Sequence, residues 1–537
     1  MVLSCNFIDL PADLRRNLLL GFSGRLHLHA TAAVALHHSH RAGDLCSVMA
    51  GDALLAAWGE NPFDGNCVAA LGGSTEKIGS LPSKLLPVMQ SVLTHWQPEI
   101  TAEARAAMAG EPDEQLAFLR KRLAEQPYSL FWWHHLYEFS RITGHWLVLA
   151  DALAAATPPE ELTALFSYTQ ANALLASGEP HAAYDVYRQC ADHLPLPIVE
   201  ERIATTLVRM DKRFEATTLL RHCAEVRPWN VSLWLRLHEL SVNGEQQATT
   251  LPGMKMVLGY SWNKADDLAE TLHSLRESEL DNDVHVRILD NGSSDQTPEV
   301  IRRFVDEFGK DKAASVTLPI NAGAPAARNW LLSLPEVRES DFAAFIDDDI
   351  SLPKDWFTKL GAAAERYPDA GVWGCKVVDF DGPARVQCGE HNLTPRPEGR
   401  VESLMSTIML QDGDFGQADY VRPCASVTGC VHLFKTERIL ANGTFDLRFS
   451  PTQYDDLERD LRMVHGGGYA VYSGHVAIRH KRKSGRISES GQPESGGAAA
   501  NMHKLLTKYT AGEFEAMAAS IDQVLLDDLM RKKEVTG

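Results

Sequence analysis

After about residue 250 the chain alternates short apolar segments with longer amphipathic ones, and this pattern limits the possible folds more than any other feature. The apolar segments have the length and composition of strands, and the amphipathic ones have helical spacing. The predicted strands are 256–258, 284–289, 316–318 and 342–346, and the predicted helices are 266–275, 297–308 and 324–332. Such alternation favours an α/β fold with a parallel sheet, whose ligands bind at the carboxyl ends of the strands.

The first 250 residues predict helices throughout, and part of this region is repeated. Five positions recur 33 residues later (171 to 204 for the first of them): Ala171, Ala183, Tyr187, Cys190 and Pro195 return as Ala204, Ala216, Leu220, Cys223 and Pro228. Small residues allow two antiparallel helices to approach closely, and the proline ends the second helix. The pattern resembles the tetratricopeptide repeat, with a plain helical bundle as the alternative.

A polar stretch at 243–253, which ends in Pro-Gly, predicts the boundary between the two halves. We therefore expect an N-terminal helical region at 1–100, tetratricopeptide-like repeats at 101–250 and an α/β domain at 251–490. Residues 491–537 are expected to form a linker and a C-terminal helix, because the stretch 488–500 is rich in serine, glycine and alanine.

Composition excludes several classes of protein. The net charge of -19 argues against a nucleic-acid binder, which must neutralise phosphates. No apolar stretch reaches the roughly 18 to 20 residues of a transmembrane helix, and charged residues near the start argue against a signal peptide. Nine scattered cysteines without a C-x-x-C pair favour the cytoplasm. An N-terminal histidine tract lacks a known metal-binding spacing: His27, His29, His37, His38 and His40.

Three consecutive carboxylates, Asp347, Asp348 and Asp349, directly follow the predicted strand at 342–346. Ionised neighbours repel one another, and burying them without compensation would cost several kcal/mol. They therefore either form a solvated turn or are held by a cation.

Four further motifs accompany this acidic triplet, at 260–264 (YSWNK), 289–295 (LDNGSSD), 321–329 (NAGAPAARN) and 454–462 (YDDLERDLR), and His475 and His480 follow the last one. Together and in this order they resemble an inverting family-2 glycosyltransferase with the GT-A fold, over residues 254–485. The triplet, the second acidic motif and the later histidine are particularly similar to the polymerising galactofuranosyltransferases. The resemblance implies a Rossmann-like nucleotide-sugar-binding domain.

The resemblance also implies a divalent cation, Mn²⁺ or Mg²⁺, and a nucleotide-sugar donor that is expected to be UDP-linked. The implied metal ligands are Asp348, Asp349 and His480. The residues implied to bind the nucleotide are Tyr260, Trp262, Asp290, Arg328, Asp347 and Asp348. Simpler roles exist for three of them: Asp290 could cap a turn, Trp262 could belong to the core, and His480 could be a surface residue of a basic loop that continues with Lys481, Arg482 and Lys483.

Asp456 is the candidate general base, because inversion needs one carboxylate to accept the proton of the attacking hydroxyl. Asp455 and Glu458 could orient it or raise its pKa. The alternative is an exposed acidic helix start with Asp455 as its cap. Gly429 resembles the small residue under the acceptor and the donor sugar.

The sequence thus predicts a cytoplasmic, metal-dependent inverting glycosyltransferase that transfers a sugar to a hydroxyl of a glycan or protein, with repeats that bind a partner or self-associate. One rival is an interaction scaffold without activity. Another is a nucleotidyltransferase, although the turn at 259–262 lacks the glycine-rich basic signature of that class.

Overall fold

The structure is a computed structural model that describes residues 5–79, 81–394, 405–406, 409, 412–481 and 493–536. Among these residues, every helix is too short or too polar to cross a membrane.

The N-terminal region is helical up to about residue 246, which confirms the predicted helical region. Short 3-10 turns lie at Phe7–Asp9, Glu160–Leu162 and Gly244–Gln246. The α-helices are α1 (Ala12–Leu20), α2 (Arg25–His38), α3 (Leu45–Glu60), α4 (Gly65–Gly73), α5 (Thr75–Ile78), α6 (Leu85–His95), α7 (Ala102–Met108), α8 (Pro112–Glu125), α9 (Leu130–Thr143), α10 (Trp146–Ala155), α11 (Thr163–Ala176), α12 (Pro180–Cys190), α13 (Pro197–Arg209), α14 (Arg213–Val226) and α15 (Val231–Ser241).

Eight of the ten repeated positions lie inside two helix pairs, α11 with α12 and α13 with α14, and the two prolines, Pro195 and Pro228, follow the second helix of each pair. The repeated helix positions are all buried: Ala171, Ala183, Tyr187, Cys190, Ala204, Ala216, Leu220 and Cys223. Tyr187 also donates a hydrogen bond of 2.6 Å to Asn172 of the partner helix. The repeated residues therefore pack the two helices of each pair together. That they form tetratricopeptide repeats stays a prediction.

Two residues of the histidine tract are held by protein groups. Nε2 of His27 is buried between α1 and α2, 2.9 Å from the carbonyl oxygen of Asn17 and 3.1 Å from that of Gly21. His38 lies 2.8 Å from a carboxylate oxygen of Asp13. Within the described ranges, the candidate metal-binding cluster lies elsewhere, so the tract gives no support to a metal site.

We expect His27 to make the fold sensitive to acid. Burial lowers the pKa of His27 from 6.5 to about 4, so the folded protein favours the neutral ring. A lowered pKa stabilises the fold above pH 6.5, and this contribution is lost as the pH falls towards 4. Between pH 7 and pH 5 the loss should be about 2 kcal/mol of unfolding free energy. Urea unfolding of the wild type and His27→Gln at both pH values measures the difference, and equal pH dependence of the two proteins would contradict it.

The second half contains a mixed sheet with the strand order β10-β12-β6-β11-β4-β1-β2-β3. β5 pairs with the end of β12 and β7 pairs with β6, while β8 and β9 form a separate ribbon. The strands are β1 (Lys255–Ser261), β2 (Val284–Asp290), β3 (Ala313–Thr317), β4 (Phe342–Ile346), β5 (Ile350–Ser351), β6 (Val372–Asp379), β7 (Val386–Cys388), β8 (Asn392–Leu393), β9 (Met405–Ser406), β10 (Val421–Cys424), β11 (Val431–Lys435) and β12 (Ala470–His480).

Helices connect the strands of the first half of this sheet and follow it at the end of the chain. They are α16 (Ala265–Arg276), α17 (Thr297–Phe308), α18 (Ala324–Ser333), α19 (Pro335–Arg338), α20 (Trp356–Arg366), α21 (Thr436–Ala441), α22 (Asp455–His465), α23 (Pro493–Lys508) and α24 (Ala511–Thr536), with a 3-10 turn at Leu447–Phe449. The α/β architecture of the predicted GT-A class is thereby confirmed.

The predicted parallel pairing is correct for β3, β2, β1 and β4, and β12 also runs parallel to β6, but the sheet as a whole is mixed. β11 runs antiparallel to both β4 and β6, and β10 runs antiparallel to β12. A parallel pair needs a long crossover, usually a helix, whereas antiparallel strands can be joined directly. Since no described helix lies between β6 and β11, the alternation that predicted parallel pairing ends there.

The sheet is covered on both faces. Successive residues of β1 belong to different apolar clusters, since Val257 packs with one and Leu258 with the other. The cluster that contains Leu258 continues into the helical N-terminal region. A strand points alternate side chains to opposite faces, so the helical region covers one face of the sheet.

Buried polar contacts also join the two halves. Arg422 of β10 donates hydrogen bonds to the carbonyl oxygens of Leu19 and Leu20, at 2.8 and 2.6 Å. Glu239 of α15 pairs with Arg366 at 2.7 Å and with His475 at 2.9 Å. His475, which follows the fourth motif, therefore holds the helical region against the sheet.

The predicted linker at 488–500 is partly wrong. Residues 488–492 lie outside the described ranges, but α23 already begins at Pro493. The alanine run at 498–500 has high helix propensity, which explains the helix where composition suggested a linker. Asn501 anchors α23 through hydrogen bonds to the carbonyl oxygens of Phe449 and Thr452.

Candidate active site

The site lies where the parallel strands end. Ser261 at the end of β1 is in register with Asp290 at the end of β2, and the acidic triplet follows β4 directly. Because these strands are parallel neighbours, their carboxyl ends bring three distant segments to one edge of the sheet.

Two carboxylates of the acidic triplet, Asp348 and Asp349, are held by the cationic side chain of Lys264. Its Nζ lies 3.0 Å from Oδ1 of Asp348 and 2.8 Å from Oδ2 of Asp349. Ser261 donates a further hydrogen bond of 2.7 Å to Oδ2 of Asp348. Asp349 is buried, so the alternative of a solvated turn is wrong. Sequence reasoning gave Lys264 no role, although a basic residue directly after the first strand is a signal that could have found it.

His480 is the second side chain that contacts the Asp349 carboxylate, after Lys264. Its Nε2 lies 3.2 Å from Oδ1 of Asp349, and its Nδ1 lies 2.9 Å from Oε1 of Gln387. His480 is buried at the end of β12, so it is not the surface residue of the alternative reading. Burial opposes the charged imidazole, but the neighbouring Cys430 and Asp349 raise the pKa of His480.

The charge state of the triplet follows from its partners. Burial raises the pKa of Asp347 to about 6, although Arg328 opposes this rise. For Asp349 burial acts in the same direction, yet His480 and Lys264 outweigh it and lower the pKa of this carboxyl. Asp349 therefore stays ionised, as a metal ligand must.

A metal ion would find suitable donors here. Asp347, Cys430 and His480 each offer a ligand atom, and these atoms lie within 4.8 Å of one another. Carboxylates and an imidazole suit Mn²⁺, whereas the buried Cys430 thiol is a softer donor that the sequence reading missed. Asp348, a predicted ligand, faces Ser261 and Lys264 instead, so Asp349 and Asp347 are better placed beside His480.

Arg328 links the triplet to α22. Its guanidinium lies 2.6 Å from Asp455 and 3.4 Å from Asp347, and it packs between the rings of Tyr260 and Phe445 at 5.3 Å from each centroid. Both Arg328 and Asp455 are buried. Asp455 is therefore not an exposed helix cap, and the charge of Arg328, predicted to reach the nucleotide, is used to join two acidic motifs.

Asp456 is held beside the turn at 426–430. Its Oδ2 accepts a hydrogen bond of 2.9 Å from the amide of Gly429, and its Oδ1 accepts one of 2.8 Å from the amide of Leu457. A Cβ at Gly429 would lie 2.5 Å from the Asp456 carboxylate, so glycine is required there. Burial would raise the pKa of Asp456, but nearby Arg328 and these amides lower it, which keeps the carboxylate ionised.

Glu458 has other partners. Its buried carboxylate is bound by Lys508 of α23, and it lies 3.1 Å from Arg462. Lys508 also pairs with Asp446 at 2.9 Å. These ion pairs attach α23 to the start of α22, so Glu458 takes a structural position rather than one beside Asp456.

The loops after β1, β2 and β3 form a surface next to the triplet. Oδ1 of Asp290 accepts a hydrogen bond of 3.0 Å from the amide of Ser293, which is the turn-capping alternative. Asn291 donates one of 2.9 Å to Asn321, which fastens two of the loops. Trp262 is 47% exposed, so it is not a core residue and is free to contact a ligand.

The basic segment after β12 is described only at its beginning. Lys481 pairs with Asp267 at 2.8 Å and with Glu270 at 2.5 Å, both on α16. Arg482 and Lys483 lie outside the described residues. The suggestion that this segment contacts a diphosphate therefore stays a prediction.

Fold and site together define an α/β domain of the GT-A class. The sequence model of the family described as "Glycosyl transferase family 2" matches residues 260–421, from the end of β1 to the start of β10. The chain thus contains a family-2 glycosyltransferase domain.

Several solved structures are similar to part of the chain, whereas no curated protein matches it. GalNAc-T7 with UDP, GalNAc and Mn²⁺ is 13% identical, with a TM-score of 0.38 over 49% of this chain and 48% of that one. The mannosyltransferase PcManGT from Pyrobaculum calidifontis, in complex with GDP-Man and Mn²⁺, is 16% identical, with a TM-score of 0.35 over 56% and 81%. TarS 1–349 of S. aureus with UDP is 15% identical, with a TM-score of 0.33 over 50% and 70%. The chain spans about half of the length of the first of these.

Proposed function

We propose that the protein is a metal-dependent inverting glycosyltransferase, which transfers a sugar from a UDP-linked donor to a hydroxyl of a glycan or protein. The observation that supports the proposal is the link Asp347–Arg328–Asp455, in which one buried guanidinium joins the acidic triplet to the first turn of α22, where Asp456 directly follows Asp455. A donor-binding carboxylate group and a separate base are the two parts that an inverting transfer needs.

Different residues of the chain would bind the cation and the nucleotide base. Asp349, Asp347 and His480 would hold a divalent cation, which as a Lewis acid would neutralise the charge on the leaving diphosphate. The nucleotide base would bind at the exposed ring of Trp262 and the loop that begins at Asp290, and the exposure of Trp262 supports this assignment.

Asp456 would accept the proton of the acceptor hydroxyl. Two backbone amides fix its carboxylate, and the absence of a side chain at Gly429 lets this carboxylate lie directly against the turn at 426–430. A base that is already ionised and has a fixed orientation can remove the proton while the oxygen attacks the anomeric carbon from the side opposite the leaving group.

The helical region is proposed to supply the acceptor or partner contacts, including self-association. Large apolar side chains on its surface support this role, since Leu26 and Phe214 are both 82% exposed. The nine cysteines, which all lie in the described ranges and form no disulfide, agree with a cytoplasmic protein.

Incubation of the full-length chain with a panel of UDP-, GDP- and TDP-sugars, followed by mass spectrometry of the products, tests the proposal. We expect release of UDP from one donor, loss of turnover with excess chelator and its return with Mn²⁺ or Mg²⁺. Full activity in chelator would exclude the metal. Release of pyrophosphate would favour a nucleotidyltransferase, and failure to turn over every donor would favour an inactive scaffold.

A further inference from the structure

The three carboxylates of the triplet face two cationic side chains, one of which is buried and the other partly exposed. Arg328 is buried, packed between two aromatic rings and paired with Asp455 as well as with Asp347. Lys264 lies at the rim of the site with 38% of its side chain exposed, yet its ammonium bridges Asp348 and Asp349. Of these two cations, only Lys264 is free to leave without breaking core packing.

The backbone of Lys264 is fixed while its side chain reaches into the site. Lys264 lies just before α16, and its amide donates a hydrogen bond of 3.2 Å to the hydroxyl of Thr297 at the start of α17. The preceding Asn263 accepts a hydrogen bond of 2.7 Å from the amide of Ser294. A long, unbranched stem on such an anchor can swing its ammonium by several ångström about a fixed point. Lysine also bears a compact charge on flexible bonds, which suits movement between two anionic partners.

The lysine occupies oxygens that a divalent cation would need. Oδ2 of Asp349 is bound by Lys264, and Oδ1 of the same carboxylate faces His480. Both oxygens of Asp348 are also taken, one by Lys264 and one by Ser261. A cation that ligates Asp349 must therefore compete with the ammonium for the same negative charge.

We propose that Lys264 is an exchangeable counter-ion of the active site. In the donor-free protein it neutralises Asp348 and Asp349. When a divalent cation ligates Asp349, Lys264 releases the carboxylates and turns to the diphosphate of the nucleotide, the other concentration of negative charge that the site would hold. The inference rests on the proposed metal-dependent function and adds a donor-binding residue to it.

The exchange predicts that one substitution of Lys264 raises the affinity for Mn²⁺ and lowers the affinity for UDP. Lys264→Met keeps the stem and removes the charge, so Mn²⁺ no longer competes with an ammonium and should bind the donor-free protein at least about fivefold more tightly. With Mn²⁺ saturating, UDP should bind at least about fivefold more weakly, because the diphosphate has lost a cationic partner. A residue that only supports the fold would not move the two affinities in opposite directions.

Titration calorimetry of full-length protein with Mn²⁺ alone, and then with UDP in saturating Mn²⁺, measures both changes. Lys310→Met is the matched control, since it makes the same change of net charge at an exposed ion pair with Asp306 of α17. Both affinities of this variant should stay within about twofold of the wild type. Lys264→Gln, a second neutral variant, should reproduce the two shifts and guards against a folding defect of the first.

The outcomes separate the exchange from the function on which it rests. If the wild type binds Mn²⁺ and both Lys264 variants bind it no more tightly, or bind UDP as well as the wild type does, the exchange is overturned and the function stands. If wild type and variants alike fail to bind Mn²⁺ with or without UDP, the metal-dependent function falls together with the exchange.

Discussion

Asp456→Asn should lower turnover by a factor of about 10² to 10⁴, the range that a general base typically contributes. Asparagine keeps the size of the side chain and can still accept from the amides of Gly429 and Leu457, but it cannot take a proton. Donor affinity should change by less than about threefold, or roughly 0.7 kcal/mol, because Asp456 lies beside the turn at 426–430 and outside the triplet.

Glu458→Gln is the matched control for this substitution. It makes the same chemical change on the same helix, at a carboxylate that is bound by Lys508 and Arg462. We expect it to reduce thermal stability and to leave turnover within a few-fold of the wild type. Turnover at saturating donor, with donor affinity by calorimetry, decides the assignment. Normal turnover of Asp456→Asn together with an inactive Glu458→Gln would transfer the role of base to Glu458.

Asp349→Ala should abolish the metal-dependent part of donor binding and lower turnover at least about a hundredfold. A metal ion supplies several kcal/mol of charge stabilisation, and about 3 kcal/mol corresponds to this factor. Asp349 is the carboxylate that contacts His480 at 3.2 Å, and its lowered pKa keeps it available as a ligand at neutral pH. In excess chelator the variant and the wild type should bind UDP equally well.

Asp348→Ala provides the comparison at the neighbouring position. Its oxygens are directed to Lys264 and Ser261, so its removal should weaken Mn²⁺-dependent UDP binding far less than the removal of Asp349 does. UDP titrations with Mn²⁺ and with chelator, run on both variants, measure the difference. An equal loss in Asp348→Ala would restore Asp348 as a direct ligand, which was the assignment made from the sequence.

Local chemistry made the elements of the α/β half predictable. The predicted helix at 297–308 and strand at 342–346 have the same bounds as α17 and β4. Each has a clear period of apolar residues and a defined start or stop, and these signals act over a few neighbouring positions. The sheet was less predictable where strands follow one another without helices, since pairing of β11 with β4 joins residues about 90 positions apart.

The candidate site shows the same contrast between local features, which the sequence predicts, and long-range contacts, which it does not. The sequence by itself determined which residues stand at the ends of the predicted strands, and so it placed the triplet and Asp290, because a strand end is a local property. Asp456 and His480 were assigned from the resemblance of their motifs to the family. Only the tertiary structure decided what each charge faces. It paired Lys264 with residues 84 and 85 positions away, Arg328 with Asp455 at 127 positions, and Glu458 with Lys508 at 50. The partner of a buried charge is whichever opposite charge the packing brings near, and no local pattern of residues encodes that choice.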